Sequence, residues 1–95
     1  MQVNYTADAF ATLIQLINFI EGTNTKGAGT RWLTKYESFI KKKLVQPQQI
    51  KLCHNRAFHK LNLRCIIFND WLIAFSIHDK FILIEAILHK SRISD

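Results

Sequence analysis

Ninety-five residues make one domain, residues 1–95, with little margin for a self-sufficient core and no room for a second. An apolar share of 48% against 21% charged excludes a disordered chain. The longest apolar run is far too short for a membrane span, and MQVNYTADAF lacks the basic start and apolar core of a secretion signal, so a cytoplasmic protein with no membrane partner is expected.

Val3 to Tyr5 is a short strand candidate. Thr6 can cap a following helix, whose first turn carries Asp8 at the positive end of the dipole. Phe10, Leu13, Ile14, Ile17 and Ile20 recur at helical spacing, and Gly22 offers a left-handed stop, so the spacing predicts a helix over about Ala7 to Glu21. Thr23 to Gly29 is a polar connection whose glycines match neither phosphate-loop nor dinucleotide spacing. A second helix begins near Gly27 or Thr30, with Trp32, Leu33, Tyr36, Phe39, Ile40 and Leu44 on one stripe. Lys41 to Lys43 complement the dipole in its last turn, and Pro47 lies beyond its end. Gln46 to Ala57 reads as a polar linker.

The last third, Phe58 to Arg92, reads as three strands, FHKLNLRCIIF, WLIAFSIH and FILIEAILHKSR, separated at Asn69-Asp70 and Asp79-Lys80. Alternation places Leu61, Leu63, Cys65 and Ile67 on one face of the first strand, and Trp71, Ile73, Phe75 and Ile77 on one face of the second. In the third, Ile82, Ile84, Ala86 and Leu88 share a face. Bringing the three apolar sets together requires a two-residue turn at Asp79-Lys80 and an odd, three-residue loop around Asn69-Asp70. The opposite face then gathers Asn62, Arg64, Ser76, His78, Glu85 and His89. The expected fold is α+β: a short N-terminal strand and a helical hairpin packed on one face of a C-terminal antiparallel sheet, the other face open.

Cys53 and Cys65 show no metal or redox spacing. Cys65 falls on the inward parity as a small core residue, and the two read as separate thiols rather than a disulfide. No metal or cofactor signature is present, since His54 and His59 are five apart and His78 and His89 fall on different strands. The net charge of +6 is uneven: Lys41, Lys42, Lys43, Lys51, Arg56, Lys60 and Arg64 follow one another with no acidic residue between them. Such a block suggests a polyanion partner, nucleic acid or an acidic protein segment.

The order of a short strand, a helical hairpin ending near a proline, KLNLRCIIF and a closing ILHKSR resembles the RelE/ParE superfamily of bacterial toxins over nearly the whole chain. The resemblance implies the toxin half of a type II toxin-antitoxin pair, held inactive by a cognate, acidic antitoxin. RelE-like members cleave mRNA on the ribosome, and ParE-like members inhibit DNA gyrase without being known as nucleases. Carried over by position, Arg64 and Arg92 match the basic strand residues that contact the reacting phosphate, while Lys51, His54, Arg56, His59, Lys60 and Lys90 fall where nucleic acid would approach. RelE-like members also carry a C-terminal aromatic acid-base residue. The tyrosines here are Tyr5 and Tyr36, so the nuclease version assigns proton transfer to His89 or another histidine. Ribosome-dependent mRNA cleavage, gyrase inhibition and simple nucleic-acid binding stand as the three functional expectations. For Arg64 the structural alternative is an ion pair with Glu85 across the sheet.

Overall fold

The computed structural model describes residues 1–92. Strand β1 (Gln2–Tyr5) is followed by helices α1 (Ala7–Thr23) and α2 (Ala28–Lys43), then a single 3-10 turn at Pro47–Gln49. A short helix α3 (Arg56–Lys60) precedes strands β2 (Arg64–Phe68), β3 (Trp71–Ile77) and β4 (Phe81–His89). The sheet order is β1-β4-β3-β2; the three C-terminal strands are antiparallel, and β1 adds to β4 in parallel. The α+β architecture is the expected one, with β1 making the sheet mixed.

Thr6 does three jobs at the joint between β1 and α1. Its hydroxyl accepts from the Ala9 amide at 3.1 Å and caps the helix, as expected. The same hydroxyl donates to the Glu85 carbonyl at 3.2 Å, and the Thr6 amide donates to the Ile84 carbonyl at 3.0 Å. Those two carbonyls flank an irregularity in β4: Phe75 pairs with Ile84, but Ala74 pairs with Ala86, so Glu85 is an extra residue. The amide bond continues the parallel ladder beyond the Tyr5–Ile84 pair, and the hydroxyl gives the carbonyl of the extra residue a partner.

The bulge corrects the expected parity of β4. Ile82 and Ile84 face the helices, and beyond Glu85 it is Ile87 that joins them, where unbroken alternation would have chosen Ala86 and Leu88. Ala86 instead packs in a second, smaller cluster on the other face with Cys53, Leu63 and Ala74.

Strand β2 departs further. The Asn69-Asp70 connection is a two-residue turn, with Phe68 paired to Trp71 and Asn69 in the left-handed region at φ 54°. That length puts Ile66 and Phe68 toward the helices and leaves Ile67 63% exposed, the reverse of the expected face. Phe68 is held by an aromatic cluster: its ring lies 4.9 Å from Phe39, 5.6 Å from Trp32 and 5.9 Å from Tyr36, centroid to centroid. The expected first strand is also shorter. Asn55 caps α3 through the Phe58 amide, and Asn62, at φ 58°, ends the turn that follows, so the segment before Arg64 is helical rather than extended.

Cys53 and Cys65 are joined as a disulfide, with Cα atoms 4.9 Å apart. The reading as separate thiols is thereby corrected: with β2 flipped, Cys65 faces away from the helices toward Cys53. The segment before β2 is also no free linker, because Leu52 bridges to Arg64 and the Cys53 amide donates to the Leu63 carbonyl at 2.9 Å. It covers part of the face expected to be open. By limiting the unfolded chain, a bridge across a separation of 12 residues is worth about 3 kcal/mol.

The helical hairpin closes over the first face through Leu13, Tyr36, Ile40 and Leu44, while Phe10 and Ile14, on the apolar row that predicts α1, remain half exposed. Gly22 lies inside α1 and supplies no stop. The left-handed residue is Gly27, at φ 86°, where the chain turns into α2. Gly29 lets the helices approach, since a β-carbon there would meet the Ile17 carbonyl oxygen at 2.8 Å. The Glu21 carboxylate accepts from the Gly27 and Gly29 amides, each at 2.9 Å, and these two bonds hold it below the usual carboxylate range.

Gly29→Ala is therefore expected to destabilise the protein by about 1–3 kcal/mol, whereas Gly22→Ala, in open space within a helix, should stabilise it by about 0.5–1 kcal/mol. Urea melts of the two variants beside wild type measure both, and equal effects would contradict the hairpin packing.

Candidate functional site

The basic residues singled out in the sequence fall into separate places. Arg64 is the first residue of β2, half-buried, with the parity of Ile66. Its guanidinium donates to the carbonyl oxygens of Gln48, at 3.2 Å, and Ile50. Both bonds come from one terminal nitrogen, Nη1, and they fasten the turn after α2 to the sheet edge. Among the described residues the sole ion pair is Lys90–Asp70, so Arg64 does not pair with Glu85.

His89 ends β4 and pairs across the ladder with Trp71, its ring edge-on to the indole at 5.1 Å. The Ser91 amide donates to Nδ1 of His89 at 3.2 Å, which makes that nitrogen an acceptor and leaves the proton of the neutral ring on Nε2. The Ser91 hydroxyl, 2.8 Å from the same nitrogen, then also donates to it. His89, Ser91 and Arg92 line a cleft against α1 with Thr12, Phe19 and Trp71. Lys90 turns to the other side: its amide reaches the Asp70 carbonyl at 2.8 Å and its ammonium the Asp70 carboxylate at 3.0 Å.

Arg64 and His89 lie far apart. Arg64 pairs with Phe75, while His89 pairs with Trp71, four residues along β3 and one strand further across. That separates their backbones by about 13 Å along the strands and about 10 Å across them. Donors that share one phosphate must each come within about 3 Å of its oxygens. Lys51 and His54 belong to a third place, a cleft on the face away from α1 that Lys90, Ile67, Leu72 and the disulfide also line. Arg56, His59 and Lys60 are exposed on α3, where His59 Nδ1 lies 3.1 Å from the Cys53 carbonyl oxygen. Ser76 and His78 form their own pair at 2.9 Å, with His78 stacked on Phe81.

Neither tyrosine stands near these groups. The Tyr5 and Tyr36 hydroxyls meet at 3.0 Å between the sheet and α2, and burial pushes both phenols above the usual range, Tyr36 the further.

The strand, hairpin and sheet in this order were the basis of the resemblance, and a family comparison decides it. Residues 3–94 match the ParE toxin of type II toxin-antitoxin systems, parDE. The chain belongs to the ParE toxin family. No match emerges among curated proteins. As a toxin of this class it pairs with a cognate antitoxin, and among the described residues no helix is long and apolar enough to cross a membrane. What sequence reasoning missed in this ParE-family chain is the disulfide beside the Lys51 cleft; the signal available was the presence of two cysteines and no third.

Removing the Arg64 guanidinium should cost stability, and removing Arg92 should not. Arg64→Ala is expected to lose about 1.5–3 kcal/mol, the range for hydrogen bonds to a charged group, while Arg92→Ala, exposed, should stay within about 0.5 kcal/mol of wild type. Chemical denaturation followed by circular dichroism distinguishes them.

Proposed function

We propose that this toxin arrests growth by binding DNA gyrase, without cutting RNA, and that the cleft against α1 lined by His89 and Arg92 is its contact surface. The observation that carries this reading is the division of the basic groups. A phosphate-cleaving site needs several donors and a proton carrier converging on one group. Here Arg64 is engaged by backbone carbonyls at one edge, and His89 and Arg92 stand against α1 near the other end of the sheet. Binding asks less: an exposed cation, Arg92, beside the aromatic surface of Trp71 and Phe19 suits a protein partner. Arg64 then serves the site indirectly, by holding the turn after α2.

Family membership supports the same reading, since ParE-like toxins are gyrase inhibitors. The antitoxin is an acidic segment, matched to the net charge of +6, and its affinity should weaken as salt rises. Gyrase and antitoxin together put the protein in the cytoplasm.

Purified wild type is expected to block gyrase supercoiling and to leave mRNA on translating ribosomes intact. The His89→Ala, Arg92→Ala double variant should stay folded and lose inhibition by about tenfold or more. Cleaved mRNA with unaffected supercoiling would overturn the proposal, as would full inhibition by the double variant.

A further inference from the structure

The disulfide stands at the floor of an open cleft. Cys53 is buried at 1% exposure, but Cys65 is only half-buried and both cysteines line the cleft that Lys51, Lys90, Ile67 and Leu72 surround. Lys90 is matched by Asp70, while Lys51 is exposed and belongs to no ion pair among the described residues. An attacking thiolate therefore meets an apolar wall, a positive rim and a reachable sulfur in one place. Positive charge favours the thiolate over the thiol, both in the attacking group and in the one that leaves.

We propose that Cys53–Cys65 is a thiol–disulfide exchange site, reduced in the folded protein by a dithiol whose thiolate enters this cleft. The thiolate attacks Sγ of Cys65, forming a mixed disulfide as the Cys53–Cys65 bond breaks, and Cys53 leaves as a thiolate that takes a proton from water. The second thiol of the reductant loses its proton to solvent and attacks the reductant's own sulfur in the mixed disulfide. That step releases Cys65, which is protonated in turn. The protein disulfide gains two electrons, and the dithiol becomes a disulfide.

The consequence falls on α3. No residue of this five-residue helix is buried, and it lies in the loop that the disulfide closes. After reduction the loop is still held by the Cys53 amide to Leu63 carbonyl bond at 2.9 Å, the Leu63 amide to Phe58 carbonyl bond at 3.0 Å and the Leu52–Arg64 bridge. Arg56, His59 and Lys60 are then presented by a looser loop while the sheet and helical hairpin stay assembled. The redox poise of the surroundings thus sets how rigidly this basic segment is held. Nothing in this depends on which target the toxin binds.

The test uses the whole protein without denaturant. Dithiothreitol is expected to expose both cysteines to alkylation, counted by mass, while the thermal melt stays cooperative. Trypsin should then cut after Arg56 and Lys60 at least about tenfold faster than in the oxidised protein, as expected for local opening, with cleavage after Arg31 unchanged. Lys51→Gln should slow the reduction by roughly threefold to tenfold at low salt, and the difference should shrink near 1 M salt, where the Debye length is about 3 Å. The Cys53→Ser, Cys65→Ser double variant should fold and show the fast cleavage with or without dithiothreitol. Thiols that react only in denaturant, an unchanged rate in Lys51→Gln, or a double variant that does not fold would each overturn the proposal and make the bond a closed structural staple.

Discussion

The hinge of this structure is one extra residue in β4. A regular ladder would have carried Ala86 and Leu88 to the helix side, leaving a core of small and mismatched groups. The bulge at Glu85 instead lines up Ile82, Ile84 and Ile87 on one face, and each of the three is at most 4% exposed. A bulge leaves backbone groups without ladder partners, and burying them unpaired would be costly. The Thr6 hydroxyl offsets part of that cost by bonding the Glu85 carbonyl while capping α1. One side chain thereby fixes where β1 ends, where α1 starts and which face the end of β4 presents. The placement of His89 beside Trp71, and of Arg92 in the cleft against α1, follows from that choice.

The helices and the central strand were legible because their signals are redundant. Thr6, Asp8 and an apolar row at 3.6-residue spacing mark α1; the Trp32 to Leu44 stripe and the lysines mark α2; and β3 is a run of apolar residues between turn formers. Parity in the flanking strands was not legible, because a shift of one residue inverts every side chain. Nothing in FILIEAILH marks the bulge, as no glycine stands there. In β2 a count of apolar residues favours Leu61, Leu63, Cys65 and Ile67 over Ile66 and Phe68. Packing favours the second set, since Phe68 fills the aromatic cluster on α2 and a two-residue turn suffices.

The candidate site was legible in kind rather than in place. Lysines, arginines and histidines at these positions are exposed or half-exposed, as a basic block should be. What sequence could not foretell is what each would touch. The Arg64 guanidinium meets two carbonyls only because the chain after Pro47 folds back along the edge of β2, and Cys65 meets Cys53 only because β2 is inverted. Both facts come from one short segment lying against the sheet. That segment lines the Lys51 cleft on one face of the sheet while the His89 cleft lies on the other, so the basic surface is divided by the fold.

The account rests on the bulge, and its register is directly measurable. In methyl-labelled protein, nuclear Overhauser spectra should connect Ala74 to Ala86 and Ile73 to Ile87 across the β3–β4 ladder, the pairs that the bulged register brings together. Contact of Ile73 with Ala86, and of Ala74 with Glu85, would mean an unbroken ladder, and would place the end of β4, with His89, on the face opposite to the one described.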